Sequence, residues 1–279
     1  MTGIKIHQIY YREDQKQYLD EGFSPWNNLK NPHPEWAELW AIIKTLKRHP
    51  WARSPELTGF VSWKFRRKTG LSSKDVLDFI DTHPGYDCYI FNPLTLQTAL
   101  FASVWEQGEE WHPGIKGHGH HLLQAAGIKT DLDSYVDGFA TTAYCNYLVA
   151  GPRFWKAYLS LIRKVMATLK KHRRAEVGPW QETIHNFREY HFVPFLIERF
   201  FGVVVRLHPD LKILPYRYPA EKQAERTPGF AQLIERADDL KTECRDDRNS
   251  QSFQEYLGLQ RQMHNRLRLS PDREALLLR

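Results

Sequence analysis

Four cations fall within five residues at Lys64-Phe65-Arg66-Arg67-Lys68, directly behind the apolar run Gly59-Phe60-Val61-Ser62-Trp63. Cations behind a strand suit phosphate, which arginine grips with a bidentate fork and lysine attracts as a point charge. In open α/β sheets ligands bind outside the carboxyl ends of strands. Lys64, Arg66 and Arg67 would then face a crevice; the plainer alternative is a wet basic loop. A second group is Gln107-Gly108-Glu109-Glu110-Trp111-His112-Pro113-Gly114. It reads either as a binding loop, with Gln107, Trp111 and His112 as contacts and Glu109 or His112 as acid/base groups, or as a structural loop anchored by tryptophan. Glu198-Arg199 sits among Phe192, Phe195, Leu196, Phe200 and Phe201. That is either a structural ion pair or a carboxylate tuned by burial to act as a base. Asn146 is polar within the apolar run 142–150 and, if buried, must fix a loop or meet a ligand.

Two further patterns raise metal chemistry. His118-Gly119-His120-His121 offers imidazoles, but three His on one short stretch rarely close a tetrahedral site alone. Asp131-Leu132-Asp133 has the D-x-D spacing that can hold Mn²⁺ or Mg²⁺ against a diphosphate, a spacing common by chance. The expectation is therefore no metal, with Asp131 and Asp133 as the alternative. No G-x-G-x-x-G, G-x-x-x-x-G-K-[ST], G-x-S-x-G or H-E-x-x-H is present, so ordinary dinucleotide, P-loop, α/β-hydrolase and zincin chemistry drops out.

Strands are expected over residues 4–11, 57–63, 86–91, 142–150 and 202–207 from β-prone apolar runs. The stretch 20–34 holds one Gly, three Pro and four Asn/Asp and reads as loop, with Pro34 opening a helix at its favoured first position and Glu35 and Glu38 in or near its first turn. Ser72 to Asp75 makes a capping-box-like start for the next helix. Residues 94–105 read as helix, 107–119 as loop at least at its start, and 122–126 as a short helix stopped by Gly127. Phe154, Trp155, Tyr158, Leu159, Ile162, Val165, Met166 and Leu169 form one apolar stripe on a helix that starts at Gly151-Pro152. A further helix is expected from Trp180 to Phe201, kinked at Pro194. The tail carries weak helical signals at 230–240 and 253–267. Strands alternating with helices give an α/β domain over 1–220, followed by a polar extension, 221–279, that is helical or partly disordered.

The 279 residues carry a net charge of +6. The extension balances 11 basic against 11 acidic residues, so the whole excess lies in the first domain. It gathers between Lys44 and Arg53 (with Lys47 and Arg48), at Lys64 to Lys68, and in a helix of eight cations and no acid between Arg153 and Arg174. Such patches suit an anionic partner, although a charge run is often only a solvated face. The three cysteines, Cys88, Cys145 and Cys244, are odd in number and widely spaced, which points to a reducing compartment. No apolar run approaches a membrane span and no signal-peptide layout opens the chain, so a cytoplasmic protein is expected.

In order along the chain, several of these pieces resemble the GT-A-like glycosyltransferases of bacterial capsule and lipopolysaccharide O-antigen loci. The resemblance spans roughly residues 4–207. It rests on Ile9-Tyr10-Tyr11, Asn31-Pro32-His33-Pro34-Glu35-Trp36 with Glu38, Leu57 through Phe65, Tyr86-Asp87-Cys88-Tyr89-Ile90-Phe91-Asn92-Pro93, Ala143 to Ala150 with Phe154-Trp155, and Pro194-Phe195-Leu196-Ile197-Glu198-Arg199-Phe200. It implies a Rossmann-like GT-A mixed sheet, a nucleotide-sugar donor, and a glycan or lipid-linked glycan acceptor. The donor would lie near Tyr10, Tyr11, Glu38, Trp63, Lys64, Arg66, Arg67, Asn92 and Asn146. If the transfer inverts, a base, Asp87, Glu109 or Glu198, would deprotonate the acceptor; retention is equally open. Where many such enzymes carry a metal-binding D-x-D this chain has Trp63-Lys64-Phe65, so the cations would replace Mn²⁺ or Mg²⁺ in neutralising the leaving diphosphate. The basic helix could lie on the anionic inner face of the plasma membrane. A non-catalytic nucleic-acid module is the competing reading, and is disfavoured because the stripe buries the aromatics that bases would stack on.

Overall fold

The computed structural model describes residues 3–33, 36, 38–47, 57–174, 183–185, 188–190 and 192–277. The chain opens with β1 (Ile4–Tyr10), buried from Ile6 onward. β2 (Ser24–Asn27) pairs parallel with it, inside a stretch whose composition predicts loop. Its edge position resolves the conflict, because Pro25 has no N–H to donate and an edge strand tolerates that. α1 (Leu39–Leu46) follows. Its expected start at Pro34 and Glu35, and the cations Arg48 and Arg53, lie outside the described residues.

β3 (Leu57–Ser62) appears as expected. The cations behind it are not a loop but a one-turn helix, α2 (Phe65–Thr69), closed by Gly70 in the left-handed region. α3 (Ser73–Thr82) starts on the capping box, with Ser72 and Asp75 reciprocally bonded. β4 (Cys88–Ile90) is next. The single helix expected at 94–105 is two, α4 (Thr95–Leu100) and α5 (Val104–Trp111), parted where Ser103 caps the second. Residues 107–119 are therefore mostly helical rather than loop: α5 runs through them and α6 (Ile115–Ala125) resumes after Gly114 at φ 91°.

The expected strand over 142–150 shrinks to β5 (Leu148–Ala150). Ahead of it Phe139–Thr141 and Tyr144–Asn146 form 3₁₀ turns. α7 (Pro152–Arg174) buries Phe154, Trp155, Tyr158, Leu159, Ile162 and Val165 as its stripe predicts. Full burial of each such side chain stabilises by roughly 1.5–3 kcal/mol. The Trp155 indole N–H also donates to the Thr58 carbonyl at 2.9 Å, tying the helix to β3.

The helix expected from Trp180 is corrected. Trp180 lies outside the described residues, β6 (Thr183–His185) and β7 (Arg188–Tyr190) pair antiparallel, and α8 (Phe192–Leu207) starts only then. Pro194 falls in its first turn, where no intrahelical N–H is needed. The strand expected at 202–207 is the end of α8. Val203 and Val204 are β-branched but buried in the main core, and packing overrides their propensity. β8 (Ile213–Pro215) is the last strand. The extension is helical: α9 (Ala220–Arg226), α10 (Ala231–Cys244), α11 (Gln251–Arg268) and α12 (Arg273–Leu277). It shares a core with the first domain, in which Phe230, Ile234, Tyr256 and Met263 pack with Leu96 and Leu100 of α4.

The main sheet has six strands in the order β2-β1-β3-β5-β4-β8. β5 alone runs antiparallel to its neighbours. The molecule is thus α/β, a mixed sheet flanked by helices and compatible with a Rossmann-like fold. Among the described residues no helix is long and apolar enough to cross a membrane.

Candidate functional site

The carboxyl ends of β1 and β3 lie side by side, Ile9 registering with Ser62. From β3 the chain turns into α2, and positions four apart on a helix share a face. Lys64 and Lys68 therefore turn together, and both feel the carboxylates at their side. Those carboxylates are Glu38, just before α1, and Glu198 of α8. Glu38 interacts electrostatically with Glu198, Lys68 and Lys64. Glu198 Oε1 accepts the Cys145 backbone N–H at 2.5 Å, and Lys68 Nζ donates to Cys145 Sγ at 2.9 Å. Two half-buried lysines and two half-buried acids thus meet around the turn that precedes β5.

Their protonation is tuned by that setting. Burial raises the Glu38 carboxyl above its ordinary value, and the Glu198 charge adds to it against the pull of Lys68 and Lys64. Burial lowers the Lys64 ammonium, with Lys68 and Arg67 adding repulsion. Burial would lower Lys68 too, but contact with Cys145 and the charges of Glu198 and Glu38 outweigh it and raise it. The Cys145 thiol, also buried, is pushed up to about 11 and stays protonated at neutral pH.

The turn itself is strained. Cys145 and Asn146 are successive non-glycine residues at φ 65° and 51°. Each such residue costs of order 1–3 kcal/mol, and strain of this kind clusters at ligand sites. The Asn146 side-chain oxygen is buried and accepts no hydrogen bond among the described residues. Beneath the turn Tyr147 exchanges a 2.7 Å hydrogen bond with Ser62 Oγ, which also accepts the Lys64 N–H, so β3 and β5 are fixed where the lysines emerge.

Other expected residues border this crevice or lie apart. Tyr10, the last residue of β1, is buried, whereas Tyr11 is exposed. Trp63 sits at the rim. Tyr18 approaches its ring at 5.5 Å, and the cations of Lys64 and Arg67 lie 5.2 and 5.4 Å from it. Arg66 and Arg67 are exposed and belong to the α2 faces that Lys64 and Lys68 do not use. Asn92 follows β4, but its amide donates to Thr98 and its oxygen accepts the Leu94 N–H, so the side chain is spent on starting α4.

Asp87 is at the opposite end of the sheet, ahead of β4. It pairs with Arg153 at 2.9 Å and accepts the Lys212 N–H. It does not join the crevice, and neither does Glu109, which accepts the N–H groups of Gly114 and Lys116 and so caps α6. Gln107 and Arg199 are bonded at 2.7 Å, and Arg199 also donates to the carbonyls of Val104 and Phe195. Arg199 passes over Gly108, where a Cβ would come within 2.6 Å of its Nε. Glu198 and Arg199 are accordingly not one ion pair: one serves the crevice and the other locks α5 to α8. His112 is buried with its ring 3.8 Å from that of Phe195, and Trp111 is exposed.

The two metal patterns converge. His120, Asp131 and Asp133 offer ligand atoms within 4.8 Å of one another. Gly119 beside them is required because the Trp105 ring occupies the place of a Cβ. The mixed imidazole and carboxylate set fits a divalent ion. However, Lys116 Nζ already holds Asp133 at 2.5 Å, and Asp131 accepts the Asp133 N–H.

Sequence reasoning missed Glu38 as a partner of Glu198, placed Lys68 in the phosphate run without singling it out, and gave Ser62, Cys145 and Tyr147 no site role. The i, i+4 spacing of Lys64 and Lys68 was a usable signal once α2 is helical; nothing local marked the others. Comparison with protein-family models, with curated proteins and with solved structures returns no match.

Proposed function

We propose that the chain is a nucleotide-sugar-dependent glycosyltransferase of GT-A-like architecture that extends a bacterial capsule or O-antigen glycan. One observation carries the reading: beside the carboxyl ends of β1 and β3, Lys68 and Glu198 both bond Cys145, and Lys64 and Lys68 lie within electrostatic reach of Glu38. A single antiparallel strand, β5, within an otherwise parallel sheet supports the architecture.

The two ammonium groups hold the donor diphosphate in a crevice where burial strengthens their attraction. As the bond between the sugar and the diphosphate breaks, its electron pair leaves with the phosphate oxygen, and the lysines stabilise that charge. Glu38, a stronger base for being buried, takes the proton from the acceptor hydroxyl. The unused oxygen of Asn146 accepts from a donor hydroxyl or amide. A divalent ion, if one is used, adds charge neutralisation at the diphosphate. The exposed face of α7, with Lys156, Arg163, Lys164, Lys170 and Lys171, suits an anionic membrane surface carrying a lipid-linked acceptor. Phe154, Trp155 and Tyr158 are buried beneath it, which leaves nucleic acid no stacking platform.

A thermal-shift screen with UDP-, GDP-, dTDP- and CMP-sugars tests the reading. At 100 times the dissociation constant, a true donor stabilises by about 2.7 kcal/mol. The combined Lys64→Ala and Lys68→Ala variant should lose that shift. Silence with all four classes would reject the proposal.

A further inference from the structure

The four cations of Lys64 to Lys68 do not serve one ligand. Lys64 and Lys68 turn toward Glu38 and Glu198, whereas Arg66 and Arg67 border a separate recess of about 390 Å³. Tyr18 and Trp63 line it too, their ring centroids 5.5 Å apart and their planes tilted by 36°. Neither arginine is in ion-pair contact with a carboxylate among the described residues. Asp20 also borders the recess, but both its oxygens are engaged, by the Gly22 N–H and by the N–H and hydroxyl of Ser73. Arg66 still feels the Asp20 charge, so two arginines against one carboxylate leave the recess with a single positive charge in excess.

The ring geometry selects that ligand. Tyr18 and Trp63 already touch, so no slot remains between them for a planar base. Lys64 and Arg67 already lie over Trp63, so the open aromatic surface is chiefly that of Tyr18, which is 53% exposed and suits the C–H face of a puckered sugar ring. Two guanidinium groups beside that surface match the planar oxygens of a carboxylate or the oxygens of a phosphate. We infer that this recess is a subsite for an anionic sugar, with the ring on Tyr18 beside Trp63 and the acidic group on Arg66 and Arg67. Its role as the acceptor subsite rests on the glycosyltransferase reading, with Trp63 standing between donor and acceptor positions. Such a site would choose acceptors bearing a sugar phosphate or a uronic acid.

Ligand-observed NMR on the full chain tests this without any nucleotide. The probes are glucose 1-phosphate, glucuronate, uncharged methyl glucoside and inorganic phosphate. At least one charged sugar should bind about tenfold more tightly than methyl glucoside and than phosphate alone. Preference for glucose 1-phosphate identifies a phosphate-linked acceptor, and preference for glucuronate an acidic glycan. The combined Arg66→Ala and Arg67→Ala variant should bring charged sugars down to the methyl glucoside level. In the combined Lys64→Ala and Lys68→Ala variant, which removes the phosphate site proposed for the donor, glucuronate is the readout and should keep binding to the recess. Both arginines are exposed, and circular dichroism checks that the variant is folded. The inference is overturned if methyl glucoside or phosphate binds as well as both charged sugars, or if the lysine variant and not the arginine variant abolishes binding. If charged sugars bind as expected while nucleotide-sugars give no thermal shift, the donor reading fails and the subsite stands.

Discussion

Two charged clusters occupy the interior, and they are built differently. Where the helical extension meets the first domain, Arg206 makes a bidentate pair with Asp246, at 2.7 Å on both oxygens, and a 2.8 Å bond to Asp137. Asp137 uses its other oxygen to accept the Val104 N–H. Close by, Lys241 donates to the carbonyls of Thr98, Phe101 and Asp137, filling its three positions. Every donor of Arg206 and Lys241 has its acceptor. In the crevice, Lys68 has one sulfur for a partner, Lys64 only the Trp63 ring, and the Asn146 oxygen none. Buried charge left short of partners is unfavourable for folding and useful for binding, whereas saturated charge fixes one packing. A cavity of about 540 Å³ beside Asp87 and Arg153 is the weaker candidate by this standard, since those charges pair with each other.

The sharpest way to break the contrast is to remove one partner from each cluster. Asp137→Ala strands Arg206 and the Val104 N–H, and should destabilise by about 3–5 kcal/mol. That is a fall in Tm of roughly 10 °C for a chain of this size. Lys64→Ala removes a charge that no acceptor holds, and should move stability by less than about 1 kcal/mol. Urea denaturation of the two variants checks both values. Equal losses would mean that the crevice lysine is as structural as the arginine.

The same contrast explains what could be read in advance. The α7 stripe, the Ser72–Asp75 cap and β1, β3 and β4 were legible because period, caps and β-branched runs act locally. β2 was not, since only an edge position makes Ser24-Pro25-Trp26-Asn27 a strand. Residues 107–119 misled because Gly108 and Gly119 serve close approach of Arg199 and Trp105, not a turn. In the site, Lys64 was legible from its place behind a strand. Its acids were not recognisable as a pair, because Glu38 and Glu198 lie 160 positions apart and meet only through the fold. Asp87 and Glu109 had the right residue type, but local partners on α7 and α6 claim them.

A smaller effect sharpens the idea that crevice groups work against stability. Burial raises the Glu38 carboxyl, so between its unfolded value near 4.5 and its higher folded value the native state binds the extra proton. Stability contributed by this group is full below the unfolded value and is lost as pH rises through the folded one. Glu38→Gln should therefore be more stable than the parent at pH 7. The gap amounts to about 1.4 kcal/mol for each pH unit by which burial displaces the group, and closes toward pH 4. Melting curves across that range measure it. A gap that widened on acidification would mean that Glu38 is held ionised as half of an ordinary salt bridge, and would remove it as the base.

The smallest effect concerns the third charged cluster, His120, Asp131 and Asp133. Its acids are exposed and Lys116 already occupies one of them, so an entering ion must displace that ammonium and gains little from burial. Millimolar Mn²⁺ should raise Tm by no more than about 1 °C, because stabilisation near the dissociation constant is only a fraction of a kcal/mol. His120→Ala should erase that increment. Nucleotide-sugar binding at Lys64 and Lys68 should persist in excess EDTA, since two ammonium groups already oppose the diphosphate. Loss of binding in EDTA, restored by Mn²⁺ in the parent but not in His120→Ala, would transfer the diphosphate to this outer cluster and leave the crevice without its anion.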